Sequence, residues 1–104
     1  MSVKYDFSDR VVIITGAGSG IGAATAVLFA RSGAQVVMVD INGQRLANVA
    51  KECQSVSPND CEFLEVVVDI TKDDDRQRIV DSVVKRFGKI NVLVNNAGNP
   101  LVFY

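Results

Sequence analysis

Four short apolar runs alternate with three longer amphipathic stretches along this chain. The first run, Val11, Val12, Ile13 and Ile14, is β-branched and apolar at every position. Alternation would mark a strand with one wet face; an unbroken run marks a strand buried on both, as in a parallel sheet. A second run covers 36–39 and ends at Asp40, and a third covers 63–68 and ends at Asp69. Val92, Leu93 and Val94 form the fourth and lead into Asn95, Asn96, Ala97 and Gly98.

The stretches between them carry a helical period. The spacing predicts a helix over 20–32, with Ile21, Ala24 and Leu28 on one apolar stripe and Gly33 placed to end it. A second helix is predicted over 44–54, with Leu46, Val49, Ala50 and Cys53 on its inner face. The third follows Thr71, which can cap it, and opens with Asp73, Asp74 and Asp75. Its buried stripe is expected at Val80, Val83, Val84 and Phe87, and Lys85 and Arg86 close it before Gly88. Acids at the start and bases at the end complement the helix dipole, so the triple Asp run reads as a solvated helix start.

Strands alternating with helices, joined by short connections, imply a parallel α/β sheet with right-handed crossovers. The expected order is β-α-β-α-β-α-β, four strands and three helices in one unit over 1–104. Composition narrows the function classes. The net charge is -1, so no global field steers the chain toward nucleic acid or a membrane surface. Histidine is absent, which removes the commonest general base and metal ligand. The two cysteines, Cys53 and Cys61, are too few for a zinc site and read as idle thiols of a reducing compartment. The early apolar run of four residues falls short of the roughly 7–15 of a signal peptide and the about 20 of a membrane span. A cytoplasmic location is the expectation.

The chemistry-bearing residues sit where strands end. The segment Thr15-Gly-Ala-Gly-Ser-Gly-Ile-Gly22 joins the first strand to the first helix. Its glycines fit G-x-x-x-G-x-G on Gly16, Gly20 and Gly22, not the more familiar G-x-G-x-x-G. Such a turn lets a ligand approach the backbone and delivers phosphate to a helix N-terminus. No Lys-Ser/Thr pair follows, which excludes a P-loop. Asp40 stands where an acid accepts hydrogen bonds from an adenosine ribose and repels a 2′-phosphate. Its plainer reading is a surface carboxylate near a helix start. Ala17, Ser19, Ile41 and Asn42 are uncharged, so NAD is expected over NADP. Asp69 has two readings, as the acceptor for an adenine amino group or as a capping residue of its loop.

Thr-Gly-x-x-x-Gly-Ile-Gly, an acid after strand two, Asp69-Ile70 after strand three and Asn-Asn-Ala-Gly after strand four together resemble the short-chain dehydrogenase/reductase superfamily. The resemblance runs from about Val11 to Gly98 and implies a Rossmann-type doubly wound sheet. It implies that Gly16, Ser19, Gly20 and Ile21 serve the pyrophosphate side of NAD, with Gly22 in the same cofactor site letting the helix lie close against the strand. Asp40 and Ile41 would contact the adenosine ribose, Asp69 and Ile70 the adenine, and Asn96, Ala97 and Gly98 the ribose nearer the nicotinamide. Asn95 and Thr15 would tie the central strands together.

The same family carries its chemistry on a serine and a Tyr-x-x-x-Lys pair. The only tyrosines here are Tyr5 and Tyr104; Asp9 stands four places after the first and nothing follows the second. The expectation is therefore the NAD-binding part of an oxidoreductase with no catalytic residue of its own. A nucleotide-binding module without turnover, or a truncated isoform, is the alternative; a methyltransferase-like nucleoside binder fits the motifs less well. The fourth strand, apolar on both faces, is expected to be an edge prone to self-association.

Overall fold

The computed structural model describes residues 6–58 and 60–96. It contains β1 (Val11–Thr15), α1 (Gly20–Arg31), β2 (Gln35–Asp40), α2 (Gly43–Val56), β3 (Phe63–Val67), α3 (Asp73–Phe87) and β4 (Val92–Val94). The sheet is parallel throughout, in the order β3-β2-β1-β4. The chain steps from β1 outward to β3, then crosses back to lay β4 on the other side of β1. The strand order reverses between β1 and β4, which is where open α/β sheets leave a crevice.

Both faces of the sheet are covered. Val12, Ile14, Val36 and Met38 point into a core closed by α1 and α2. Val11, Ile13, Val37 and Val39 point the other way, onto Ile79 and Val83 of α3. All of β1 is buried, as its unbroken apolar run requires. The four inner residues expected of α2, Leu46, Val49, Ala50 and Cys53, are all buried. Burial first, then the charge of Glu52, pushes the Cys53 thiol up to about 11. Both cysteines are free thiols, and Cys61 donates its S–H to the Gly33 carbonyl.

Three local expectations are corrected. Ile21 and Leu28 of α1 are exposed at 76% and 59%, and Ala24 is exposed with them. The face that meets the sheet is Gly22, Ala26 and Ala30. Small residues let the helix lie close to the strands, so the bulkier apolar stripe is not the inward one. In α3 the buried residues are Ile79 and Val83, with Phe87 half-buried; Val80 and Val84 face outward at 42% and 50%. Thr71 does not cap α3, whose N-cap is Lys72 with no side-chain bond. The Thr71 hydroxyl is taken by Asp69. The expected helix ends do hold: Gly33 and Gly88 adopt φ of 90° and 76°, the left-handed region that stops a helix.

β4 bonds to β1 alone, which leaves its other side as an edge within the described sheet. Leu93 on that strand is exposed, as are Ile90 just before it and Val80 on the adjoining helix. Pro100 and the apolar residues 101–104 lie outside the described residues.

Candidate functional site

The carboxyl ends of the strands converge on a cleft of about 470 Å³. Gly16 and Ser19 line it from the turn after β1, and Asp40 and Ile41 from the end of β2. Asp69, Ile70 and Thr71 line it from the turn after β3, and Asn96 from beyond β4. Valines 39 and 68, each just before its acid, complete the wall.

The β1–α1 turn is made by close approach. Gly16 and Gly20 take φ of 64° and 59°. A Cβ on Gly22 would stand 2.1 Å from the Gly16 carbonyl oxygen and 2.7 Å from Asn96 Nδ2. Only a hydrogen there lets α1 start against the turn. α1 begins with no side-chain cap, whereas α2 has one: Asn42 Oδ1 accepts from the Arg45 amide at 3.0 Å. An uncapped helix start keeps amide donors and the positive end of the dipole for an anion. Gly20, Ile21 and Gly22 open that helix but do not line the cleft wall.

Asp40 is held by backbone donors. Its Oδ2 accepts from the Gly18 amide at 2.9 Å and its Oδ1 from the Asn42 amide at 3.0 Å. The carboxylate thus spans the glycine turn and the start of α2, which is more than a surface acid does. A Cβ on Gly18 would stand 3.0 Å from the Cβ of Arg45, so the base of this side chain packs against the glycine turn. Arg45 is not among the sequence neighbours of Asp40 and the glycine turn; α2 brings it back to the turn from five places beyond Asp40.

The β3–α3 turn is built from side chains. Asp69 Oδ1 accepts from the Thr71 amide at 3.0 Å and from the Thr71 hydroxyl at 2.6 Å. The hydroxyl bond first, then the amide bond, holds the Asp69 carboxyl below its ordinary value. The capping reading of Asp69 is met, one oxygen holding its own loop, and the residue also lines the cleft.

The central tie is as expected. Thr15 Oγ1 donates to Asn95 Oδ1 at 3.0 Å and accepts from the Asn96 amide at 2.9 Å. A second asparagine, Asn91, fixes the other end of β4: its Oδ1 accepts from the Val11 amide and its own amide donates to the Val11 carbonyl. Ala97 and Gly98 lie outside the described residues. Among the described residues no three His, Cys, Asp or Glu side chains are placed to hold a metal, and no helix is long and apolar enough to cross a membrane.

A glycine turn feeding an uncapped helix, an acid at the end of the next strand and a cleft at the strand-order reversal define a dinucleotide-binding α/β protein of the Rossmann class. The sequence profile of the short chain dehydrogenase family matches residues 10–102, and the chain belongs to that family. It is 43% identical over 89 residues to the 3-oxoacyl-[acyl-carrier-protein] reductase FabG of Thermotoga maritima, covering 86% of this chain and 35% of the relative. L-sorbose reductase from Gluconobacter frateurii, solved with NADPH and L-sorbose, superimposes with a TM-score of 0.85 at 37% identity, over 93% of this chain and 36% of that one. An NAD+-bound xylitol dehydrogenase superimposes with a TM-score of 0.82 at 36% identity, over 89% and 35%. The chain spans about a third of the length of these relatives and corresponds to the nucleotide-binding portion of the fold.

Proposed function

We propose that residues 1–104 form the NAD-binding segment of a cytoplasmic short-chain dehydrogenase whose complete form moves hydride between NAD and an alcohol/carbonyl pair. The observation that carries this reading is the convergence of the uncapped α1 start, Asp40 and the Asp69 turn on one cleft. The amides of Gly20, Ile21 and Gly22, with Gly16 and Ser19 beside them, bind the pyrophosphate. Asp40 and Ile41 hold the adenosine ribose, and Asp69 and Ile70 the adenine. Asn96, Ala97 and Gly98 serve the ribose nearer the nicotinamide. NAD bound there supplies or accepts the hydride. The residues of this chain bind and orient it; Asp9, not a lysine, stands four places after Tyr5, so no proton-transfer role is assigned to that tyrosine.

Asp40 favours NAD, because a carboxylate pinned at the ribose repels a 2′-phosphate. Arg45 supports the opposite preference: its side chain starts at the glycine turn beside Asp40, and a guanidinium that reaches a 2′-phosphate pairs with it. Titration calorimetry with NAD and NADP decides between them. The expected result is tighter NAD binding, with Asp40→Asn narrowing the gap and Arg45→Ala widening it. Tighter NADP binding by the unaltered chain overturns the NAD assignment, and no binding of either overturns the cofactor site.

The free side of β4, with Leu93 exposed upon it, also makes this chain a candidate for pairing with a second copy. Sedimentation at rising concentration should show association. A sharp, reversible, monomeric melt at micromolar concentration refutes it.

A further inference from the structure

The third acid of the run 73–75 is not a solvated helix start. The Asp75 side chain is only 20% exposed, against 89% for Asp73, and its Oδ2 accepts from the backbone amide of Asp69 at 2.9 Å. Its neighbour Arg76 donates from Nη1 to the Ile70 carbonyl at 2.8 Å and pairs with Asp73. Two adjacent residues of α3 thus reach back six positions each and grip the turn that lines the cleft.

The grip falls on particular peptide planes. The plane between 68 and 69 is held through the Asp69 amide by Asp75. The plane between 70 and 71 is held through the Ile70 carbonyl by Arg76 and through the Thr71 amide by Asp69 Oδ1. The plane between them is held through the Asp69 carbonyl by the Lys72 amide at 3.1 Å. Two polar groups of Asp69 and Ile70 then have no hydrogen-bond partner among the described residues: the Ile70 amide and Asp69 Oδ2. They are one donor and one acceptor on consecutive residues at the cleft. A 6-aminopurine offers the complement, an acceptor at N1 beside a donor amino group. A 6-oxopurine offers the reverse.

We propose that Asp75 and Arg76 are positioning residues that aim the Ile70 amide and the Asp69 carboxylate at a 6-aminopurine, and so set the preference for adenine over a 6-oxo base. This rests on the cofactor reading above. A role in helix stability alone would weaken both bases equally, whereas a positioning role changes their ratio.

The test compares NAD with its hypoxanthine analogue by calorimetry, on the whole chain and on Asp75→Ala, Asp75→Asn and Arg76→Ala. The unaltered chain should prefer NAD by about tenfold or more, the loss expected when two partly exposed pairings are reversed. Asp75→Ala and Arg76→Ala should bring the two ligands close to parity, and Asp75→Asn, which keeps an oxygen acceptor, should retain most of the preference. An unchanged ratio in Asp75→Ala and Arg76→Ala, or equal binding of both ligands by the unaltered chain, overturns the proposal. Circular dichroism checks that each variant is folded, and Asp75→Asn and Arg76→Ala carry the test if Asp75→Ala is not. Hydrogen exchange on the ligand-free chain separates this proposal from the cofactor reading: the Asp69 amide should lose protection in Asp75→Ala and keep it in Asp75→Asn. Equal protection in all three overturns the positioning role whether or not a nucleotide binds.

Discussion

The two turns on either side of β2 reach the same cleft by opposite means. The β1–α1 turn is shaped by missing side chains: Gly22 leaves no Cβ to collide with the Gly16 carbonyl, and the helix above it starts uncapped. The β3–α3 turn is shaped by present ones: Asp69, Asp75 and Arg76 each bond its backbone through a side chain, and the Thr71 hydroxyl donates to the Asp69 carboxylate. A turn held by close backbone approach cannot yield without moving a helix. A turn held by several separate hydrogen bonds can lose one and keep its neighbours. The first suits a ligand group that is charged and the same in every nucleotide; the second suits a base that has to be told from others.

The contrast predicts where damage spreads. Gly22→Ala should have the largest effect, costing about 3 kcal/mol or more, because the new methyl meets backbone that cannot swing aside. Urea unfolding measures it, and nucleotide binding should be lost at the same time. A variant that unfolds like the parent would show that the β1–α1 turn is as forgiving as the other. Thr15→Val comes next. The hydroxyl is almost fully buried and serves Asn95 and the Asn96 amide together, so its removal should cost about 1–3 kcal/mol and weaken binding through Asn96. Thr15→Ser should restore most of the midpoint in the same urea titration.

The same contrast explains how far the sequence could be followed. Close approach leaves a mark in residue type: a glycine at a fixed offset, an unbroken apolar run, an acid at a strand end. The parallel sheet and the cleft-lining residues Gly16, Ser19, Asp40 and Asp69 were legible for that reason. Which face of a helix turns inward was not legible where both faces are apolar. In α1 the choice fell to Gly22, Ala26 and Ala30, because small size, not hydrophobicity, sets how near a helix can lie. In α3 it fell to Ile79 over Val80. Contacts that depend on where a helix carries a side chain left no mark either. Arg45 comes to the glycine turn, and Asp75 to the Asp69 amide, only once the elements are packed. An acid in a run of three gives no sign of which one bonds inward.

The smallest expected effect lies in the side-chain turn. Thr71→Val removes the hydroxyl bond to Asp69 Oδ1 but keeps the Thr71 amide, the Asp75 bond and the Arg76 bond. The urea midpoint should therefore hardly move. The Asp69 carboxyl should respond instead. Its folded value is lowered, chiefly by that hydroxyl, so the ionised form is the one the fold favours. The favourable contribution is present above the ordinary carboxylate range near pH 4 and is lost as pH falls through the lowered value. Without the hydroxyl the titration should move up toward the ordinary value while the amide bond still keeps it below. Carbon-13 NMR of the Asp69 carboxyl in both forms reads this directly. An unmoved titration would mean that the backbone alone orders the turn, and the difference between the two turns would be one of sequence and not of construction.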